Sequence, residues 1–377
     1  HVNDRTGRTD DPMKRSYITT VKERCRVCYT CVRECPAKAI RIADGQAEII
    51  GERCINCGNC VKVCSQGAKV PLDSIDDVRQ IIASGVPVAA CVAPSFPAEF
   101  YRIQPDTFAG MIRKLGFSSV HEVAFGADLV ADRYRTLLRE ASDRRYIAAN
   151  CPAVVKYVEK YHPDLVDSLA PIVSPMIAIA RALRSSGPDN LKIVFIGPCI
   201  AKKQEARSIH LNSEVDAALT FEELSSMFAE EEVTPESVEP ADFDPPRAAY
   251  GALFPISRGL LQAAGMTEDL ALGEVVVADG RSDFLDAVKE FASGHMEAQL
   301  LEVLGCNGCI TGPGLSSKLP RFGRRSKVGE YVQHRMETLD RQRWLADMAE
   351  FADLDLSRSY APDDHRIMAP SERELAR

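Results

Sequence analysis

Eight cysteines between positions 25 and 64 form two runs of one pattern, Cys25-x-x-Cys28-x-x-Cys31-x-x-x-Cys35 and Cys54-x-x-Cys57-x-x-Cys60-x-x-x-Cys64. Thiolates at this spacing suit iron–sulfur chemistry. Two-residue turns bring three sulfurs onto one cube of iron and sulfide, and the fourth cysteine of each run reaches the other cube. The spacing therefore assigns Cys25, Cys28, Cys31 and Cys64 to one [4Fe-4S] cluster, and Cys54, Cys57, Cys60 and Cys35 to a second. A disulfide framework or a zinc site are the alternatives. Disulfides belong to oxidising compartments, and zinc sites rarely repeat this four-cysteine run.

Five cysteines remain. Four have distinctive neighbours: Asn150-Cys151-Pro152, Gly197-Pro198-Cys199 and Cys306-Asn307-Gly308-Cys309. Each follows an apolar run that reads as a strand, 145–149, 192–196 and 298–304. Open α/β sheets build their sites in the crevice at strand ends, so these four thiolates can converge and complete a third cubane. Four unrelated buried thiols are the alternative, since free cysteine packs as a small hydrophobe. Cys91 lies inside the apolar run 86–92 without a partner at ligand spacing and reads as core.

The elements that would position these groups follow from periodicity. Ala39–Ile42 and Ala47–Ile50 flank Asp44-Gly45, a hairpin joining two pseudo-equivalent halves as in bacterial two-cluster ferredoxins. Asp73 or Ser74 caps a helix carrying Ile75, Val78, Ile81 and Ile82. Apolar runs at 86–93, 119–124 and 145–149 alternate with helical patterns at 106–115, 127–141 and 152–161, the mark of a mostly parallel α/β sheet. A second alternation has strands at 192–197, 215–219, 273–278 and 298–304, with helices near 221–229 and 281–293. The Pro-rich acidic stretch 230–246 reads as an exposed loop. A basic region after Ser317 leads into a helix around 328–351, and from Asp353 the pattern fades into linker composition. The expected organisation is a tail at 1–17, a cluster module at 18–71, a main body at 72–340 with lobes at about 86–185 and 190–318, and an extension at 341–377.

The net charge of −8 argues against nucleic acid or an anionic membrane as partner, because both demand a basic face. No run of about eighteen apolar residues occurs, and residues 1–15 lack the apolar region of a signal peptide, so a cytoplasmic protein is expected.

In their order along the chain, Ala93-Pro94-Ser95, Leu115-Gly116-Phe117 with Phe125-Gly126-Ala127-Asp128, Asn150-Cys151-Pro152, Ser174-Pro175, Pro198-Cys199-Ile200-Ala201-Lys202-Lys203-Gln204-Glu205 and Glu302-Val303-Leu304-Gly305-Cys306-Asn307-Gly308-Cys309 resemble the motifs of the [FeFe]-hydrogenase large subunit. Single motifs are weak signals, whereas the ordered set behind a cluster module is strong. The resemblance implies a two-lobed α/β H-cluster domain preceded by a small α+β ferredoxin domain with two [4Fe-4S] clusters. The H-cluster is a third [4Fe-4S] cube joined through one thiolate to a [2Fe] subcluster carrying CO, cyanide and an azadithiolate. Cys151, Cys199, Cys306 and Cys309 match the cubane ligands, and Cys309 the bridging one. Lys202 matches the lysine that donates to a cyanide, the Ala93-Pro94-Ser95 turn matches the segment that holds another, and Ser174 joins the cofactor-binding set.

Departures from the pattern carry as much meaning. Active members place a proton-relaying cysteine where Asn150 stands, and an amide cannot shuttle protons near neutral pH. The acidic residue that continues the proton path falls near Tyr134. Gly197 replaces a methionine, and the last cysteine pair has two intervening residues where catalytic members have three. These changes are similar to those of the sensory branch of the family, whose members are often joined to signalling domains; the stretch Ser371-Glu372-Arg373-Glu374-Leu375 would then lead towards one. H2 and a ferredoxin or other redox partner are the implied partners. Two other readings stand beside this one: a protein with three cubanes and no di-iron unit, like hydrogenase-like cluster-assembly factors, and a plain electron-transfer subunit.

Overall fold

The computed structural model describes residues 16–140, 143–208, 211 and 213–366. The stretch 371–375 and most of the expected tail lie outside them. The first module has strands Ile18–Thr20 (β1), Ile40–Ala43 (β2), Gln46–Ile49 (β3) and Lys69–Pro71 (β4), with β1 antiparallel to β4 and β2 to β3. The β2–β3 turn is Asp44-Gly45, with φ of 48° and 68°, the pair of left-handed residues that a tight hairpin needs. The two cysteine runs bend alike. Val27 and Tyr29 in the first, and Asn56 and Gly58 in the second, all have positive φ, and the short helices Thr30–Arg33 and Asn59–Lys62 start straight after. A side chain at Gly58 would meet Pro313 at 2.3 Å, so the second half packs closely on the main body, and the first joins it through Glu34, 2.6 Å from Arg281, and through the Ala37 carbonyl, which accepts from Tyr161 Oη at 2.8 Å.

The main body has strands Val88–Val92 (β5), Ser119–Glu122 (β6), Tyr146–Ile147 (β7), Lys192–Gly197 (β8), Ala217–Thr220 (β9), Val275–Asp279 (β10) and Leu300–Leu304 (β11). All pairings are parallel, as the alternation with helices predicts. One sheet runs β6-β5-β8-β9 and the other β10-β11-β7. The expected lobes at 86–185 and 190–318 are therefore corrected: β8 and β9 join β5 and β6, while β7 pairs with β11 through Tyr146 opposite Leu300. Periodicity identifies a strand but carries no record of its neighbour. The sheets interleave in sequence, and the ends of β7, β8 and β11 meet at their junction.

Helix Pro175–Ser186 escapes the sequence reading because Met176 through Ala180 are all buried, so its first half shows no stripe, and the polar face begins only at Arg181 and Arg184. It packs on helix Val123–Glu140, where Gly126 lets the backbones close: a methyl group there would lie 2.3 Å from the Pro175 carbonyl oxygen. The stretch 230–246 is less exposed than its composition suggests, with Phe243 buried against Phe96. The single helix expected at 328–351 is two, Arg321–Thr338 and Arg341–Glu350, broken where the Asp340 carboxylate accepts from the N–H groups of Gln342 and Arg343. Beyond them, residues 353–366 lie as a strap on the main body, bridged at Ser357 to Ile172. Among the described residues no helix is long and apolar enough to cross a membrane.

Candidate metal centre

All thirteen cysteines are free thiols. Eight of them stand around two cavities, and among the described residues no group of three or more His, Cys, Asp or Glu could hold one metal ion. Cys25, Cys28, Cys31 and Cys64 line one cavity. Cys35, Cys54, Cys57 and Cys60 line another, walled by Ile18, Ile40, Ile49 and Ile55. The structure thus groups these eight thiols with the crossover that the spacing suggests. The first cavity reaches the surface at exposed Cys28, where hydrogen bonds from Thr30 hold the thiol below its usual range. In the second, desolvation pushes Cys54 up to about 11 and Cys57 well above the usual thiol range. Thiols so raised stay neutral until a metal cluster provides the positive charge that thiolates need.

The four scattered cysteines come together where the two sheets meet. Cys151 is the N-cap of helix Pro152–Tyr161, Cys199 follows β8, and Cys306 and Cys309 follow β11. A methyl group at Gly305 would sit 3.9 Å from Cys151 Sγ, and the Gly314 N–H donates to the Pro198 carbonyl at 2.8 Å, tying the three loops together. Gly308 closes the last turn with φ 75° and ψ 152°, a conformation essentially restricted to glycine. Burial pushes Cys199 up to about 12 and Cys306 up to about 11, with Cys151 and the other neighbouring thiols adding to it. Cys309 is raised well above its usual range by burial and by Cys199, Cys151 and Cys306, with Lys202 opposing. Cys57 and Cys306 line one shared cavity with Lys62 and Arg281, so the second ferredoxin-like site adjoins the third.

Polar groups that follow the same set of strands lack partners among the described residues. Ser95, after β5, is fully buried, and there its Oγ, like Asn150 Oδ1, has no hydrogen-bond partner. Lys202, on the first turn of helix Ala201–Ala206, donates to Ser174 Oγ at 2.8 Å and to Glu205 Oε2 at 2.6 Å. A lysine has three donors, so among the described residues one remains. Its ammonium opposes the rise of the Cys199 and Cys309 thiols, which sets it beside them. Apolar cores do not retain such orphans without cause. A spare ammonium N–H and an unpaired serine hydroxyl suit an anionic group bearing lone pairs, so the residues present fit both a cubane and a cyanide-bearing unit next to it. Ala93 and Pro94 complete that wall, with Ala93 buried and its N–H donating to the Ile196 carbonyl.

The departures have local explanations. Tyr134 is fully buried, accepts from the Ala149 N–H at 2.9 Å, and is held by burial far above the ordinary phenol range. At Gly197 a methyl group would lie 2.6 Å from the Phe195 ring and 2.8 Å from Ala93 Cβ. The missing side chain is answered by a large one two residues earlier on the same face of β8.

Several functional neighbours went unread in the sequence. Glu205 stands three residues after Lys202 on one helix face, a signal that was available. Arg358, whose Nη1 lies 2.8 Å from Glu205 Oε1, sits in a stretch without periodicity. Lys69, almost fully buried, lines the first cavity and is held by Thr20 and Ala47. Nothing in a three-residue strand marks its lysine as buried.

Residues 86–313 match the family model "Iron only hydrogenase large subunit, C-terminal domain", and residues 17–65 match a 4Fe-4S dicluster domain. The chain is 25% identical over 252 residues to iron hydrogenase 1 of Clostridium pasteurianum, covering 54% of this chain and 44% of that one. It is 31% identical over 324 residues to an NADP-reducing hydrogenase subunit of Solidesulfovibrio fructosivorans, covering 67% and 54%. A cytosolic Fe-S cluster assembly factor of Yarrowia lipolytica is 25% identical over 141 residues, covering 33% and 29%. The chain spans about half the length of the hydrogenases it matches. Among solved structures, an apo [FeFe]-hydrogenase of Chlamydomonas reinhardtii superposes with a TM-score of 0.62 at 19% identity, covering 76% of this chain and 99% of that one, which shows the shared fold.

Proposed function

Because the chain belongs to the iron-only hydrogenase large-subunit family, we propose that it is a sensory [FeFe]-hydrogenase of low turnover, reporting H2 or redox state through a site cluster and two accessory [4Fe-4S] clusters. The observation that carries this reading is the set of polar groups without partners among the described residues that follow β5, β7 and β8: Ser95 Oγ, Asn150 Oδ1 and the third donor of Lys202. A bound [2Fe] unit would supply the H2-splitting chemistry. The chain supplies ligation by Cys151, Cys199, Cys306 and Cys309, orientation by Lys202, Ser95 and Ser174, and exclusion of water by the two sheets. Proton supply is where it falls short, since neither the Asn150 amide nor the buried Tyr134 phenol exchanges protons readily at neutral pH. Slow turnover suits a reporter better than a bulk producer of H2. A redox partner would dock near exposed Cys28, and a signalling domain, fused or separate, would receive the output. Thirteen free thiols accord with a reducing, cytoplasmic setting.

A second reading, a three-cubane protein without the di-iron unit, is favoured by the Phe195 ring beside Gly197 and by the short Cys306-x-x-Cys309 turn. Infrared spectroscopy separates the two. Chain matured anaerobically and incubated with a synthetic di-iron precursor is expected to show CO and cyanide bands on iron. Their absence, with a full complement of cubane iron, would leave the second reading in place.

A further inference from the structure

The strap 353–366 has almost no regular structure, yet main-chain bonds hold it along its length. Val173 N–H donates to the Leu356 carbonyl (2.9 Å), Arg358 N–H to Pro171 (3.2 Å), Asp363 N–H to Glu159 (2.9 Å) and His365 N–H to Lys160 (2.9 Å). Tyr360 Oη donates to the Ile172 carbonyl at 3.0 Å. Its side chains reach inward at one point above all: the guanidinium of Arg358, with a side chain 9% exposed, sits on Glu205 Oε1, while Lys202 holds Oε2. The Glu205 side chain is 1% exposed. Burial pushes its carboxyl up, but the Lys202 and Arg358 cations and the hydrogen bonds from Lys202 and Ser174 outweigh this and hold it below the usual carboxylate range.

One carboxylate is thus shared by two cations, and the arrangement has a consequence for each. With Lys202 alone, Glu205 would form a closed neutral pair able to draw more than one ammonium N–H. With Arg358 occupying Oε1, Glu205 can offer Lys202 only Oε2, and the trio keeps a net positive charge next to Cys199 and Cys309. We propose that Arg358 is a positioning residue which, through Glu205, holds Lys202 towards the site cluster and so couples the seating of the C-terminal strap to the metal centre. The inference rests on the reading that Lys202 serves a cluster ligated by the four scattered thiols; it does not need the di-iron unit. Coupling of this kind is reciprocal: a change that unseats the strap alters the site, and a change at Lys202 alters the strap.

The test uses the full chain with its clusters in place, as wild type, Arg358→Gln, Arg358→Lys and Lys202→Gln. Iron content is counted first, because about twelve irons per chain accompany three cubanes and about eight accompany two. In a redox titration followed by electron paramagnetic resonance, R358Q is expected to move the site cluster's potential negative. The two ferredoxin-type clusters, as internal references, stay where they are, and R358K restores the site. In hydrogen exchange, K202Q is expected to slow exchange of the strap amides at 356–358 roughly tenfold, because the Glu205 carboxylate then pairs with Arg358 alone. A purely structural Arg358 would loosen the strap without moving the site potential, and strap exchange unchanged in K202Q would likewise overturn the proposal. A count near eight irons would instead sink the reading of the site itself, and the exchange arm, which needs no third cluster, still decides the Arg358–Glu205–Lys202 linkage.

Discussion

Asn150 and Gly197 are the two residues whose identity most changes what the site can do, and they differ in how easily they revert. Asn150 Oδ1 is buried without a partner, so a thiol in its place breaks no bond. Asn150→Cys is expected to raise H2 turnover of chain loaded with the di-iron unit by about tenfold to a hundredfold. That is the low end for a proton-transfer group, because Tyr134 still blocks the next step; H2 uptake with an artificial electron acceptor measures it, and unchanged turnover would put the defect elsewhere. Gly197 cannot revert alone. Gly197→Met drives its side chain into the Phe195 ring and Ala93, and overpacking of this kind costs about 1–3 kcal/mol. The double variant G197M with Phe195→Ala should recover most of that loss in chemical denaturation, and a single G197M as stable as wild type would refute the steric account. The cluster ligands were legible because their spacing is the chemistry itself. Phe195 was not, since one aromatic in a strand reads as core, and only the void at 197 gives its ring a further meaning.

At the scale of elements, β11 carries a charge that a buried strand does not ordinarily tolerate. Glu302 accepts from the Arg258 N–H through Oε1, and burial pushes its carboxyl up to about 7 from an ordinary value of 4.5, against the opposing backbone N–H groups of Arg258, Leu261 and Leu260. Its folded-state value lies above the unfolded one, so the stability it contributes is complete below about pH 4.5 and is lost as pH rises through about 7. Glu302→Gln keeps the shape and removes the ionisation. The variant is expected to match wild type near pH 5 and to exceed it near pH 8 by up to about 3 kcal/mol, read from denaturation midpoints at the two pH values. A difference that does not grow with pH would show that Glu302 ionises freely. Most elements of the main body were readable from their periods, β5, β8, β11 and helix Pro152–Tyr161 among them. Helix Pro175–Ser186 was not, its first half being apolar on every side, and the strap was not, because its order comes from Arg358, Tyr360 and Asp363 meeting groups far away in sequence.

Across the whole molecule, three thiol-lined cavities follow one another from exposed Cys28, through Cys54 and Cys57, to the shared wall with Cys306. Filled with the proposed clusters, they would form a conduit for electrons from surface to interior. That the first two lie next to each other could be read from sequence, because each run of cysteines lends its fourth member to the other. The closeness of the third depends on Gly58 abutting Pro313, a contact between residues more than two hundred positions apart that no local pattern encodes. The same holds for the interleaved sheets, and these bear on how the protein is born. The strand that precedes Cys151 finds its partner strand only when residues 300 and 301 have been synthesised, so a nascent chain on the ribosome has no pocket for the innermost metal before that point. Loading of that pocket is therefore a late step, performed on a body in which both sheets exist, while the amino-terminal clusters can be installed long before.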